Sequence, residues 1–215
     1  MANSLVARNV SKQYGSQDPV IQNFSHRFAP ATLTVLTGPN GSGKTTLMRL
    51  FSVLATPSAG TIEYGDVHIH DAPHQYLQHV GIVHAEAMLP TQLTAVELLE
   101  WIMRSRKVWS DEGPRVIAQW LDRLDLDERR EQRIATYSSG MVKKTQIAAA
   151  LVADPQVLLM DEPLRSLDDT ARQATLQALD TFREKGGLSI VASHLTSDLL
   201  QRCDEHLSLA TAPAS

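Results

Sequence analysis

The sequence has one cysteine, few aromatic residues and no surplus of basic charge. Cys203 cannot form an internal disulfide on its own. The formal net charge of −4 gives no electrostatic reason to expect nucleic acid or an anionic membrane surface as the main partner. We therefore expect neither a disulfide-stabilised scaffold nor a nucleic-acid-binding protein.

Long apolar runs are also missing. No run approaches the ~18 residues that span a bilayer, and residues 1–15 lack the apolar core of a signal peptide. If the protein works at a membrane, we expect another chain to supply the span.

The overall composition is ordinary for a globular protein. Of the 215 residues, 43% are apolar and 20% are charged, which is enough for one domain with a sizeable core. We expect a single domain over residues 1–215, with a frayed tail at 211–215.

The first third of the chain shows strand patterns. Apolar residues predict strands at 5–10, 31–36 and 79–84, and a hairpin at 61–70. From 87 to 136 the pattern becomes helical, and this predicts an inserted helical subdomain.

Two features support the helical insertion. Thr94 and Glu97 form a capping box before an apolar segment. The next predicted helix carries an amphipathic stripe, formed by Val116, Trp120, Leu121 and Leu124.

A glycine-rich loop, GPNGSGKTT at 38–46, joins the strand at 31–36 to an apolar helix at 47–55. It matches the pattern G-x-x-x-x-G-K-[ST]. In this pattern the backbone N–H groups surround phosphate oxygens, the lysine reaches the β- and γ-phosphates, and the hydroxyl ligates Mg²⁺. The predicted nucleotide-binding residues are Gly38, Pro39, Asn40, Gly41, Ser42, Gly43, Lys44, Thr45 and Thr46, with Thr45 as a metal ligand.

Two acidic residues, Asp161 and Glu162, follow four apolar residues. A continuous apolar run of this kind is typical of a central strand, so both should emerge at the carboxyl edge of the sheet, where α/β proteins bind ligands. We predict that Asp161 holds Mg²⁺ and that Glu162 polarises the water that attacks the γ-phosphate. An apolar strand followed by Asp-Glu is common by itself, and the glycine-rich loop is what favours this interpretation.

A second polar turn, TYSSGM at 136–141, precedes a stretch predicted to be helical through Val152. Ser138, Ser139 and Gly140 have the composition of a helix N-terminus that receives an anion. The chain therefore contains two candidate phosphate-binding segments.

These motifs in this order resemble the ATP-binding subunit of ABC transporters, from about Leu5 to Leu209. YSSGM resembles the signature loop of that family, usually written LSGGQ. The resemblance implies an α/β P-loop NTPase fold with a mixed central sheet, an N-terminal antiparallel β subdomain and an inserted α-helical subdomain. It also implies ATP hydrolysis, with ATP and Mg²⁺ as cofactors.

The resemblance assigns roles to further residues. Tyr14 would stack on adenine, Asp168 would belong to the D-loop at 166–168, and His194 would be the switch histidine. Without the family, Tyr14 is equally consistent with a partly buried strand residue, and His194 with a solvated strand end.

The resemblance also implies an assembly. Two subunits of this family pair head to tail, so Ser138 and the N–H groups around Ser139 and Gly140 would contact ATP held by the other subunit. The implied partners are an identical or similar ATPase subunit and separate transmembrane permease subunits, at the cytoplasmic face of a membrane. YSSGM followed by lysines is similar to exporter-type systems.

Two departures from the family pattern stand out. Ser139 and Met141 replace a glycine and the glutamine of the signature, which leaves the Ser-x-Gly frame intact. Ala85 occupies the place of a glutamine that helps to coordinate Mg²⁺ and water. Our hypothesis is that His84 or Glu86 substitutes for it, or that hydrolysis is slow and loosely coupled.

Three other function classes remain open: a non-transport ABC ATPase, a small-molecule P-loop kinase and a regulatory nucleotide binder. The first typically has a long coiled-coil insertion or two ATPase halves joined by a charged linker, and the second would not explain YSSGM. Ala85 keeps the third open.

A histidine metal site is a further alternative, weighed against ordinary polar surface positions for His68, His70, His74, His79 and His84.

Overall fold

The computed structural model describes residues 3–16, 18–86, 89–194 and 197–210. The strands within these residues are β1 (Leu5–Lys12), β2 (Ile21–Phe28), β3 (Thr32–Thr37), β4 (Ala59–Tyr64), β5 (Val67–His68), β6 (Val80–Val83), β7 (Val157–Asp161), β8 (Leu188–Ala192) and β9 (Glu205–Ser208). The α-helices are α1 (Lys44–Phe51), α2 (Pro73–Leu77), α3 (Ala95–Ser105), α4 (Gly113–Arg123), α5 (Ser139–Leu151), α6 (Asp169–Glu184) and α7 (Ser197–Leu200).

The strands form two sheets. One is antiparallel, in the order β2-β1-β4-β5, and the other has the order β6-β7-β8-β3-β9 with parallel pairing between all neighbours. The predicted hairpin is present, because β4 and β5 pair antiparallel. Both parallel and antiparallel pairing are present, as expected, but each type has its own sheet. Among the strands described, the central sheet is entirely parallel.

Strands β7 and β8 of the parallel sheet are buried on both faces. Leu158 and Met160 of β7 pack into a core with α3, α4, α5 and α6, whereas Val157 and Leu159 face a second core shared with α1 and the antiparallel sheet. Successive residues of a strand point to opposite faces, which is why one strand contributes to both cores. Because all neighbouring strands of this sheet are parallel, their carboxyl ends lie at one edge.

The helical segment agrees with the sequence pattern. The Thr94 hydroxyl accepts from the Glu97 N–H at 3.1 Å and the Glu97 carboxylate accepts from the Thr94 N–H at 2.8 Å, so the capping box is formed. Leu121 and Leu124 are fully buried, and Val116 and Trp120 pack against the core that contains them. The predicted start of this subdomain at 87 and the predicted frayed tail at 211–215 lie outside the described residues, and the single-domain assignment stays a prediction.

The sequence patterns did not identify two strands and placed one helix end too late. β2 and β9 are not predicted, and α1 ends at Phe51 although the apolar run continues to 55. Val53 adopts a left-handed backbone conformation with φ of +59°, which cannot continue a helix.

Candidate functional site

The glycine-rich loop leaves the carboxyl end of β3 and leads into α1. Gly38 has φ of +148°, and a Cβ there would lie 2.5 Å from the Leu209 carbonyl oxygen and 2.6 Å from Ser42 Oγ. A side chain cannot occupy this space, so the close turn of the loop requires glycine. The loop backbone is thus folded tightly around the start of α1.

Lys44, the first residue of α1, is almost completely buried. Its ammonium donates to the carbonyl oxygens of Gly38 (2.6 Å) and Pro39 (3.1 Å). These bonds hold the ammonium across the loop that is predicted to bind phosphate.

Asp161 ends β7 and is also buried. Burial raises the pKa of its carboxyl group, while a hydrogen bond with Thr45 and the charges of Lys143 and Lys44 oppose the rise. A hydroxyl and a carboxylate are oxygen donors of the kind that Mg²⁺ prefers. Thr45 and Asp161 are therefore placed together as predicted metal ligands.

Glu162 has a left-handed backbone conformation, with φ of +50°, which is uncommon for a residue with a side chain. Its N–H donates to the Ala192 carbonyl at 2.8 Å. Its carboxylate accepts from Ser193 Oγ at 3.1 Å and from the His194 N–H at 2.9 Å, and His194 Nε2 lies 3.8 Å from it. The ends of β7 and β8 thus fix both the position and the orientation of this carboxylate.

These groups converge on a cavity of about 630 Å³. Its walls are formed by Val20, Asn40, Gly41, Ser42, Gly43, Lys44, Thr45, Thr46, Ala85, Asp161, Glu162, Arg165 and His194. Ser42 Oγ is buried without a hydrogen-bond partner among the described residues, so this wall retains a free polar group. Oxygen donors, a buried ammonium and an unpaired hydroxyl fit a magnesium-bound phosphate chain.

Two residues of the cavity wall, Val20 and Arg165, were not predicted. Arg165 follows the Asp-Glu pair by three residues, which brings it to the same edge of the sheet. Val20 comes from the loop between β1 and β2, and no residue pattern marks it in the sequence.

The second predicted phosphate segment does not line this cavity within the described residues. Ser138 caps α5, since its Oγ accepts from the Met141 N–H at 3.3 Å, and both Ser138 and Ser139 are exposed. Gly140 packs so closely on the Ser166 backbone that a Cβ would lie 2.7 Å from the Ser166 carbonyl oxygen. This contact explains a glycine at 140, whereas Ser139 begins the helix at an exposed position.

Asp168 lies next to the same helix. One oxygen caps α6 by accepting from the Ala171 N–H at 2.8 Å, and the other lies 2.7 Å from the ammonium of Lys144 on α5. Both contacts lower the pKa of the Asp168 carboxyl group. Asp168 does not line the cavity. Its predicted role in nucleotide binding stays a prediction.

Tyr14 follows β1 and is partly exposed, with the ammonium of Lys12 lying 4.9 Å from its ring centroid. It does not line the cavity, although Val20 from the same loop does. Its predicted stacking on adenine stays a prediction.

Ala85 lines the cavity wall, whereas the neighbouring His84 and Glu86 do not. Burial and the charges of Lys143 and Arg49 lower the pKa of His84. The hypothesis that one of these neighbours replaces the missing glutamine is therefore not supported by the cavity lining, and it stays a prediction.

The part of the chain that the structure describes contains no cluster of three or more His, Cys, Asp or Glu residues suited to a metal ion.

Comparison with known proteins assigns the family. The sequence pattern of the ABC transporter family matches residues 21–165, which is more than half of the chain. The chain belongs to the ABC transporter family. Domains of this family bind ATP with Mg²⁺. The predicted family and fold class are therefore confirmed, and the predicted cofactors are confirmed as a general property of the family.

Curated members of the ABC transporter family extend the similarity to nearly the whole chain. The linearmycin resistance ATP-binding protein LnrL of Bacillus subtilis (strain 168) is 32% identical over 93% of this chain and 64% of its own length. The Nod factor export ATP-binding protein I of Rhizobium meliloti (strain 1021) is 30% identical over 91% of this chain and 58% of its own length. The chain therefore spans less than two thirds of the length of these relatives.

A solved ATP-binding subunit of an ABC transporter has the same fold, with a TM-score of 0.90, 24% identity and coverage of 96% of this chain and 87% of that one. Among the described residues, no helix is both long enough and apolar enough to cross a bilayer.

Proposed function

We propose that this chain binds Mg-ATP in the cavity at the carboxyl edge of the parallel sheet and hydrolyses it to drive an ABC transporter. The observation that carries the proposal is the convergence of Lys44, Thr45, Asp161, Glu162 and His194 on one cavity. Retention of the lysine and both acids favours an active enzyme over a passive nucleotide binder.

Each side chain has a distinct task. The Lys44 ammonium exchanges its bonds to loop carbonyls for bonds to the β- and γ-phosphates, and Thr45 and Asp161 would hold Mg²⁺, which neutralises phosphate charge. Glu162 accepts a proton from the attacking water, because Ser193 and His194 hold its carboxylate at the cavity wall.

The signature segment supports a two-subunit site. Ser138 and Ser139 are exposed at the N-terminus of α5 and lie outside their own cavity. The N–H groups of a helix N-terminus attract anions, so these residues are suited to the γ-phosphate held by a second subunit. We infer head-to-tail pairing with an identical chain or a similar ATPase, with Asp168 and Gly140 at the same interface.

The names of the relatives, for linearmycin resistance and Nod factor export, support an export system. We infer that separate permease subunits hold this chain at the cytoplasmic face of a membrane. Affinity capture from detergent-solubilised native membranes tests this: recovery of a polytopic membrane protein supports transport, whereas recovery of ribosomes or DNA overturns it.

The catalytic proposal is tested with Glu162→Gln. This variant keeps the shape of the side chain but cannot accept a proton, so we expect loss of ATPase activity and an ATP-dependent dimer on size exclusion. Glu184→Gln, at an exposed position of α6, is the matched control and is expected to hydrolyse ATP normally. If Glu162→Gln still hydrolyses ATP at the parent rate, Glu162 is not the base.

Ala85 favours a second candidate, a weakly hydrolysing regulatory ATPase. Alanine lines the cavity at the place where a polar side chain would contact water and Mg²⁺. If this loss limits the reaction, Ala85→Gln raises the ATPase rate or its coupling to the permease. An unchanged rate and unchanged coupling refute the deficiency.

A further inference from the structure

Lys143 is a buried lysine of α5 that none of the motifs accounts for. Its residue is 5% exposed, and its ammonium donates to the carbonyl oxygens of His84 at 2.7 Å and Ala85 at 3.4 Å. Burying an ammonium is costly unless it is hydrogen-bonded and balanced by opposite charge. A lysine at this position therefore needs a compensating environment.

The catalytic acids supply that environment. Burial lowers the pKa of the Lys143 ammonium, and the charges of Asp161 and Glu162 act in the opposite direction, while Arg165 adds to the lowering. The effect is mutual, since Lys143 lowers the pKa of Asp161. The positive charge of Lys143 thus acts on both acids, although Lys143 does not line the cavity itself.

Its hydrogen bonds end at the segment where the polar side chain is missing. Ala85 contributes only a methyl group to the cavity wall, so its side chain cannot tie this segment to the site by hydrogen bonding. The backbone of His84 and Ala85 is instead bound by Lys143, five residues after the Ser138 cap of α5. One side chain of α5 therefore holds the Ala85 segment by hydrogen bonds, and its charge acts on Asp161 and Glu162.

Resting on the proposed ATPase function, we propose that Lys143 is a positioning residue for hydrolysis. It holds the Ala85 segment through backbone carbonyls and balances the acids from behind the cavity wall, which takes over part of the role of a side chain at 85. Lys143 does not line the cavity, so it is not expected to touch nucleotide or the attacking water. Its loss should therefore alter the chemical step more than the binding of ATP.

The test compares Lys143→Met with the parent protein, measuring kcat and KM for ATP and the thermal unfolding temperature. Methionine keeps most of the stem but removes the charge and the donors. We expect kcat to fall by roughly tenfold or more, since a small misplacement of catalytic groups has effects of this size, and KM to stay within about threefold because Lys44 and the loop are untouched. Lys185→Met, at an exposed position after α6, is the control and leaves both constants unchanged.

A rescue experiment separates positioning from general stability. In the Lys143→Met background, Ala85→Gln restores a polar group to the segment. We expect kcat to recover by roughly threefold or more beyond any change that Ala85→Gln causes in the parent, without a matching change in unfolding temperature. If Lys143→Met does not fold, Lys143→Gln, which keeps amide donors, is measured in the same way.

The outcomes distinguish the two proposals. A parent protein without ATPase activity refutes the proposed function. A parent protein that hydrolyses ATP, together with a Lys143 variant whose kcat is unchanged or whose loss is unaffected by Ala85→Gln, overturns the positioning role.

Discussion

Ser138 is expected to have two roles that substitutions can separate. Within the chain, its Oγ caps α5 through a 3.3 Å bond from the Met141 N–H. Removing a serine cap costs about 1 kcal/mol, which corresponds to a fall of about 2–4 °C in unfolding temperature for a domain of this size. We therefore expect Ser138→Ala to be mildly destabilised in the absence of nucleotide.

The second proposed role of Ser138 is contact with the γ-phosphate held by another subunit. Ser138→Asp changes this contact and preserves the cap of α5. Aspartate is an equally good cap, and its negative charge suits the positive end of a helix, so the unfolding temperature should equal or exceed that of the parent. At the interface, however, the carboxylate would face a γ-phosphate. At an effective dielectric constant of 20, two unit charges about 4 Å apart repel by about 4 kcal/mol, which weakens each contact by roughly a thousandfold.

The assay uses the Glu162→Gln background, in which ATP is expected to hold the dimer. Thermal unfolding without nucleotide reports the cap, and size exclusion with ATP reports association. Ser110→Asp adds the same charge at an exposed position of the helical subdomain and should leave the ATP-bound dimer intact. If Ser138→Asp is stable and dimerises like its parent, Ser138 does not face a nucleotide and the two-subunit reasoning is refuted.

Further predictions concern the packing around the site. Gly140→Ala places a methyl group 2.7 Å from the Ser166 carbonyl oxygen, so we expect a lower unfolding temperature and impaired ATP-dependent dimerisation; unchanged values would mean that this contact is easily relaxed. Leu121→Ala removes a fully buried side chain and should cost about 2–5 kcal/mol in denaturant unfolding, with a loss under about 1 kcal/mol contradicting the packing described. Burial lowers the pKa of His70, whose Nε2 lies 3.0 Å from the Ala55 carbonyl oxygen. Because the unfolded chain then binds more protons, stability falls as pH drops below about 6.5, and His70→Gln should flatten that fall in a series of thermal unfolding curves; an equally steep fall would exclude this histidine as a cause.

The parts of the fold and site that could be predicted are those with a strong local pattern. β7 is a continuous apolar run before Asp161, and β8 is mainly apolar with Ser189 as its one polar residue. Parallel strands buried on both faces bring Asp161, Glu162 and His194 to one edge. The glycine-rich loop needs particular residues in a particular order, so the residue order alone predicts a phosphate-binding segment there.

The elements that could not be predicted lack such a pattern. β2 alternates weakly and is mostly polar, and β9 is a four-residue strand with only partly buried or exposed residues at the edge of its sheet. Lys143 resembles an ordinary surface lysine in the sequence, because no local pattern reveals that most of α5 is buried. Its environment comes from contacts with residues about 60 positions earlier, which a local pattern does not encode.

The N-terminus of α5 and the segment after Glu162 are joined twice, by the contact of Gly140 with Ser166 and by the ion pair of Lys144 with Asp168. If segments are exchanged between this chain and a relative, residues 136–144 and 165–168 should therefore be exchanged together. A chimera that receives 136–144 without 165–168 would combine a helix start and a loop shaped for different partners. Exchanging both stretches together is the design that preserves this surface.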